Sequence, residues 1–339
     1  MAVTIKDVAK LANVAPSTVS RVIANNPRIS EQTKKRVREA METLGYHPNF
    51  NARSLAIKST KAIGLVMPSS VDKVFQNPFF PEVIRGISTM AHEREFAIYM
   101  STGQNEQEIY DGVERMIHGG RVDGVLLLYS RIDDKIMTLL QEKKFPFSVI
   151  GKPYQHSEHI SHVDNDNFRA GKDVTEYLIK LGHKQIAFIC GSLDLVVTID
   201  RVLGYKKALE DANIPYQDEY VVQEEFLNDG GMAGFKKLMT LPAPPTALIV
   251  KDDLLSFSIM GMIDKMGLSI PEDISLISFN NLMLSEFTRP PLTSVDIDIF
   301  KLGYYAAECL LDQLDSPDQE VKQVIVPHTL IKRQTCHRI

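Results

Sequence analysis

The sequence predicts an all-α helix-turn-helix head followed by an α/β core of two doubly wound, parallel-sheet lobes. Three observations carry that expectation. Charge is unevenly spread over the 339 residues: positions 1–61 hold 11 Lys/Arg against 4 Asp/Glu, and the remainder holds 27 against 39. A basic head suited to a polyanion therefore precedes an acidic body. Within the head, apolar residues recur at helical spacing in three short segments, and roughly four residues separate the first two, the length of a helix-turn-helix connection. From residue 62 the pattern becomes near-continuous apolar runs alternating with amphipathic helices, as in parallel sheets covered on both faces.

The first helix begins at Thr4, an N-cap type, with Asp7 in its first turn and Val8 and Leu11 directed inward. The second, in "VAPSTVSRVIAN", opens on Pro16, whose missing N–H costs nothing at that position. Val19, Val22 and Ile23 form its buried stripe, which leaves Ser17, Thr18, Ser20 and Arg21 as a polar face that packing does not explain. The third helix starts after Ser30, carries Val37, Met41 and Leu44 at helical spacing, and ends at Gly45. Pro48 then breaks the chain, and Asn49 or Asn51 caps a segment through Leu55 too short to be helical in isolation, so it reads as a linker that becomes helical on binding.

Strands are expected at 62–67, 96–100, 122–129, 147–150, 185–190, 247–251, 275–279 and 323–327, with helices at 82–93, 166–181, 201–212 and 299–314. Eight strands over such a length suit two doubly wound halves, with an eight-stranded (β/α) barrel as the alternative. The domain reading is a head at 1–48, a linker at 49–61 and a core at 62–339. Within the core, one lobe takes 62–162 and 293–322, and the other 163–292 and 323–339. Ligands of paired open sheets sit past the carboxyl ends of strands, in the crevice between halves.

Other classes fare poorly. No run reaches the ~18 apolar residues of a membrane span and the first residues lack an apolar signal core, so a cytoplasmic, nucleoid-associated protein is expected. Cys190, Cys309 and Cys336 are too far apart for a CxxC knuckle or a disulfide framework. "AGKD" at 170–173 lacks the earlier glycine of a phosphate loop, and there is no GxSxG elbow. His156, His159 and His162 lie in a loop without an accompanying cysteine, a pattern of solvated histidines more than of a metal site. Asp296 and Asp298 share a strand face, where salt bridging explains them. No catalytic residues, metal or cofactor are expected.

"VTIKDVAKLANVAPSTVSRVI", "ISEQTKKRVREAMETLGYHPNFNARSLA" and "IGLVMP" resemble the start of a LacI/GalR-family transcription regulator. The resemblance continues through "NPFFPEVIRGI", "VDGVLLL", "LGHKQIAFICG", "RVLGYKKAL", "IPEDISLISFNN" and "RPPLTSV", and so covers nearly the whole chain. "PSTVSRVI", "NPFFPEVIRGIS" and "VDNDNFRAG" are most similar to the maltose-operon repressor branch of Gram-positive bacteria. The resemblance implies lobes of periplasmic-binding-protein type and a dimer on a palindromic DNA operator, with the second helix in the major groove. Pro16, Ser17 and Arg21 then match positions that approach base edges, and Thr4, Thr18 and Ser20 match phosphate contacts; Asn25 and Tyr46 complete the set in the head. Arginine suits bidentate pairing with guanine and short hydroxyls suit phosphate oxygens. Matching the linker places Asn49, Ala52, Arg53 and Leu55 against the minor groove, Leu55 as an apolar wedge. Ala15 departs from the serine of many relatives, and Pro16 offers no polar group, so base preference rests on Ser17 and Arg21.

For the core, Arg201 in "RVLGY" matches the arginine that hydrogen-bonds effector in relatives, and Phe79 and Phe80 match aromatic positions on the opposite lobe. Asp252 and Asp253 follow the strand "ALIVK", and Asn280 and Asn281 follow "SLISF", short polar side chains where sugar hydroxyls would find partners. Each aspartate could equally cap a helix. Lys152 after "FSVIG" is a further candidate, and Asn280 stands where many relatives have Asp. The implied effector is a small sugar of maltose or glucoside type whose binding lowers operator affinity. The alternative is a catabolite-control regulator activated by a phosphoprotein corepressor, which requires a basic patch on the helix near 299–312.

Overall fold

The computed structural model describes residues 3–23, 25–46, 59–68, 71–101, 103–224 and 232–339. The chain divides into two compact units, residues 1–60 and 61–339.

In the first unit, α1 (Ile5–Leu11), α2 (Pro16–Ile23) and α3 (Glu31–Leu44) enclose a small core of Val8, Ala9, Ala12, Val19, Val22, Val37 and Ala40. Asp7 accepts hydrogen bonds from the Thr4 amide (2.8 Å) and hydroxyl (2.7 Å), which fixes the start of α1. Ser30 caps α3 by accepting from the Thr33 amide, and Gly45 at φ +60° ends it. Leu11 departs from expectation and is 52% exposed. The buried stripe of α1 runs through Ile5, Val8, Ala9 and Ala12, and Leu11 falls about a third of a turn from its centre.

Among its described residues the second unit contains two six-stranded sheets. The first joins β1 (Ala62–Val66), β2 (Ala97–Ser101), β3 (Gly124–Leu127), β4 (Phe147–Ile150), β5 (His162–Asp164) and β11 (Gln323–Ile325), in the order β11-β5-β4-β3-β1-β2 and parallel throughout. The second joins β6 (Ile186–Cys190), β7 (Val221–Gln223), β8 (Ala247–Val250), β9 (Ser275–Phe279), β10 (Thr293–Asp296) and β12 (Thr329–Ile331), in the order β12-β10-β9-β8-β6-β7. Only β12 runs antiparallel to its neighbour among these strands. Two open sheets replace the barrel alternative. The inner strands β1, β3, β6 and β8 are fully buried apolar runs because helices cover both faces, and the edge strands β2, β7, β11 and β12 are part-exposed.

Among the described residues of this unit nine helices follow in chain order: α4 (Val71–Gln76), α5 (Phe79–Glu93), α6 (Glu106–His118), α7 (Lys135–Glu142), α8 (Asn167–Lys180), α9 (Val196–Asp211), α10 (Met232–Met239), α11 (Asp253–Lys265) and α12 (Ile299–Asp315). The chain passes between lobes after β5, after β10 and after β11. This corrects the expected lobe boundaries: β10 pairs with β9 in the second lobe, and β11 pairs with β5 in the first. Each of β10 and β11 lies only a few residues from a crossover, where the local sequence does not mark which lobe a strand joins. The three crossovers are tied by one side chain. The buried amide of Asn165 donates to Ile297 O at 3.0 Å and to Val326 O at 2.8 Å, so each passage is held to the other two.

Candidate functional site: a cavity between the lobes and a polar helix face

A cavity of about 520 Å³ opens between the two sheets at their carboxyl ends. That volume falls within the range of small-molecule sites. Its second-lobe side is organised around Arg201 on α9. The guanidinium is buried, donates from Nε to Asn167 Oδ1 at 2.9 Å and from Nη1 to Lys251 O at 3.2 Å, and lies 3.9 Å from the centre of the Phe279 ring. Two of five N–H donors are thus committed and the rest remain for a ligand. Asn167 is itself held, its amide donating to Asp164 Oδ1 at 2.8 Å. Asp164 also accepts from the amides of Asn165 and Lys152.

Burial acts on both charges of this chain. It lowers the Arg201 pKa to about 10 against the attraction of Asp164 and Asp252. It pushes the Asp164 carboxyl up to about 6 against its amide hydrogen bonds and Arg201. Desolvation wins at both ends, so the pair places a charge at the cavity wall at a cost in stability.

Asp252 and Asn280 line the same wall. Asp252 serves as well as N-cap of α11, accepting from the Leu255 amide at 2.8 Å, so its binding and capping readings coincide. Across the cavity stand Phe79 and Phe80 at the start of α5, rings edge to face with centroids 5.2 Å apart.

Three candidates lie elsewhere. Asp253 is fully buried and accepts from the hydroxyls of Ser278, Ser285 (2.8 Å) and Ser294 (2.6 Å) and from the Leu282 amide (2.6 Å), which leaves no capacity for a ligand. Burial raises its pKa, those donors opposing. Asn281 turns from the cavity toward Asp296 (3.1 Å) and Arg333 (2.7 Å). Lys152 is used through its backbone, its amide donating to Asp164 and its carbonyl accepting from Ser130. All three follow a strand end, but only alternate positions there face the crevice.

Sequence reasoning missed Asp164, Asn167, Glu106, Tyr129, Arg131 and Asp194, all of which line the cavity. Arg131 lies against the Tyr129 ring (5.1 Å), donates to Pro68 O (2.6 Å) and pairs with Glu106. Its segment bridges the lobes: Ile132 N donates to Asp194 O at 2.9 Å and Val196 N to Ser130 O at 3.1 Å. The strand-end rule that selected Asp252 would have selected Arg131 and Asp194 had it been applied after β3 and β6 as well.

In the first unit, Pro16, Ser17, Ser20 and Arg21 are exposed on one face of α2, and Thr18 is half-buried. Arg21 makes no ion pair among the described residues. Thr4 is exposed with its hydroxyl directed to Asp7. Asn25, at φ +50°, is exposed and accepts from Arg38 at 3.4 Å. Tyr46 is half-buried against the core, and its amide closes α3 on Met41 O. Asn49, Ala52, Arg53 and Leu55 lie outside the described residues.

Comparison with known proteins converges on one group. Residues 4–49 match the model for bacterial regulatory proteins of the lacI family, and residues 175–336 match the periplasmic binding protein-like domain. The HTH-type transcriptional regulator MalR of Streptococcus pneumoniae is 42% identical, over 98% of this chain and 100% of its own length. The transcriptional regulator CelR in complex with cellobiose is 30% identical with a TM-score of 0.76, covering 98% of this chain and 99% of its own. The Lac repressor dimer bound to operator and the anti-inducer ONPF is 26% identical with a TM-score of 0.84, covering 99% and 100%.

Proposed function

Because this chain belongs to the lacI family of bacterial regulatory proteins, we propose that it is a sequence-specific repressor of a maltose or glucoside operon, acting as a homodimer on a palindromic operator in the cytoplasm. The observation that carries the effector reading is the cavity, in which a pre-positioned arginine faces an aromatic pair across room for a disaccharide. The rings cover the apolar face of a pyranose, while Arg201, Asp252 and Asn280 exchange hydrogen bonds with its hydroxyls. Arg21 and Ser17 read base edges, and Thr4, Thr18 and Ser20 hold phosphates.

Sugar binding shifts the lobe arrangement and so lowers operator affinity, which requires a preference of several kcal/mol for one arrangement. A gel-shift titration tests this: maltose should release the operator complex, and an unchanged complex across maltose and its analogues refutes the effector assignment. In the same assay Arg21→Ala should cost about 1–3 kcal/mol of discrimination at one base pair. The catabolite-control alternative finds little basic surface on α12. Lys301 is paired with Asp298 at 2.6 Å, and Asp312 holds both Arg94 and Lys322.

A further inference from the structure

A second chamber adjoins the cavity at Arg131. It has a volume of about 210 Å³, shares Pro68, Glu106, Tyr129, Arg131 and Asp194 with the first and extends over Gln107, Tyr110 and Asp133. Two buried polar atoms of the shared wall have no hydrogen-bond partner among the described residues: Arg131 Nε, a donor, and Asp194 Oδ1, an acceptor. They belong to neighbouring groups, since Arg131 Nε lies 3.6 Å from the other oxygen of the same carboxylate. Folded proteins pair nearly all buried polar atoms, so an orphaned donor beside an orphaned acceptor calls for a group that can serve both. A hydroxyl does so, accepting from the N–H and donating to the carboxylate.

The two residues come from opposite lobes. Arg131 is fixed by Glu106, Pro68 O and the Tyr129 ring, and the Asp194 backbone is held by the bond from the Ile132 amide while its carboxylate is 42% exposed. Past this junction the second chamber offers what a sugar ring needs. Tyr110 is half-buried on α6 and presents an aromatic surface, and Gln107 and Asp133 supply polar groups at the edge.

We propose that the two chambers are successive subsites for one linear oligosaccharide. A disaccharide fills the first, a third glycosyl unit lies against Tyr110 in the second, and a hydroxyl at the junction, admitted by rotation of the part-exposed Asp194 carboxylate, bridges Arg131 Nε and Asp194 Oδ1. The inference rests on the maltose-type reading above and adds chain length to it: the preferred effector has at least three units.

Calorimetry on the full chain with maltose, maltotriose and maltotetraose tests it. Maltotriose should bind about tenfold tighter than maltose, one added ring contact and a few hydrogen bonds being worth about that factor. Maltotetraose should gain little more, because the second chamber has room for about one ring. Gln107→Trp would plug the second chamber from an exposed position on α6, where the native side chain bonds only Asp111 among the described residues. In that variant the ratio of trisaccharide to disaccharide affinity should fall to about one. Maltotriose binding no tighter than maltose overturns the second subsite and leaves the maltose reading intact, as does a gain that survives Gln107→Trp. No binding by any of the three sugars overturns both.

Discussion

In the first lobe α5 crosses α12 with Gly86 and Gly303 at the contact, and in the second α8 crosses α9 with Gly171 and Gly204. A Cβ built on any of the four would lie 2.0–2.2 Å from a carbonyl oxygen of the opposite helix. The two lobes thus use one device, a glycine-seamed helix pair, to bring the start of a helix to the cavity. What they deliver differs. The first presents the Phe79–Phe80 rings, which need only offer a face. The second presents one guanidinium whose bonds to Asn167 and Lys251 depend on atomic placement, and Gly171 packs on the backbone of Arg201 itself. Apolar contact tolerates small shifts, whereas hydrogen bonds weaken steeply with distance and angle.

The glycines give the largest expected effects. Gly204→Ala and Gly303→Ala should each destabilise the core by about 3 kcal/mol, the upper part of the overpacking range, as read by urea denaturation. Their effects on sugar should diverge. Gly204→Ala moves Arg201, three residues earlier on the same face, and should weaken binding by about tenfold, the worth of one good hydrogen bond. Gly303→Ala shifts rings that can slide, and should weaken binding by roughly threefold or less. Equal losses would erase the distinction between the lobes.

Asn165 belongs to neither lobe's helix pair and should act on both alike. Asn165→Leu leaves Ile297 O and Val326 O without their donor and should cost about 2 kcal/mol, near 1 for each lost bond. Hydrogen exchange should then rise at the crossovers after β5, β10 and β11 together. A rise at one crossover alone would mean that the three are not held as a unit.

What could be read in the sequence follows the same physical division. Of the eight expected strands, β1, β3, β4, β6, β8 and β9 were legible because burial on both faces demands near-continuous apolar runs; β2 and β11 are part-exposed and showed through their local apolar content alone. The strands β5, β7, β10 and β12 were not, since three or four residues that mix polar with apolar show neither a run nor a period, and their pairing is set by the tertiary fold. Leu11 was read inward because one apolar residue in a helix of seven fits more than one stripe. At the cavity, Arg201 and the Phe79–Phe80 pair were reached through resemblance, and Asp252 and Asn280 through position after a strand. The misassignment of Asp253 is instructive. Its partners Ser278, Ser285 and Ser294 lie 25 to 41 residues away, so nothing local separates it from Asp252.

The smallest expected effect isolates the cost of the polar construction around Arg201, to which β5 of the first lobe contributes Asp164. Asp164 is raised to about 6 in the folded protein, chiefly by burial, from an ordinary carboxylate value of 3.8. Between those values the folded chain holds a proton that the unfolded chain has lost, so this group's contribution to stability is fully present below the lower value and declines as pH rises through the upper one. From pH 6 to pH 5 the core should therefore gain about 1 kcal/mol from this site. Subtracting the denaturation profile of Asp164→Asn from that of the native chain isolates the effect from other titrations. The rings of the first lobe contribute nothing in this window, so a positive difference on acidification assigns the cost to the chain of Asp164, Asn167 and Arg201. A difference of the opposite sign would mean that Arg201 and the amide donors outweigh burial, and that the chain of Asp164, Asn167 and Arg201 holds its charges at a net gain.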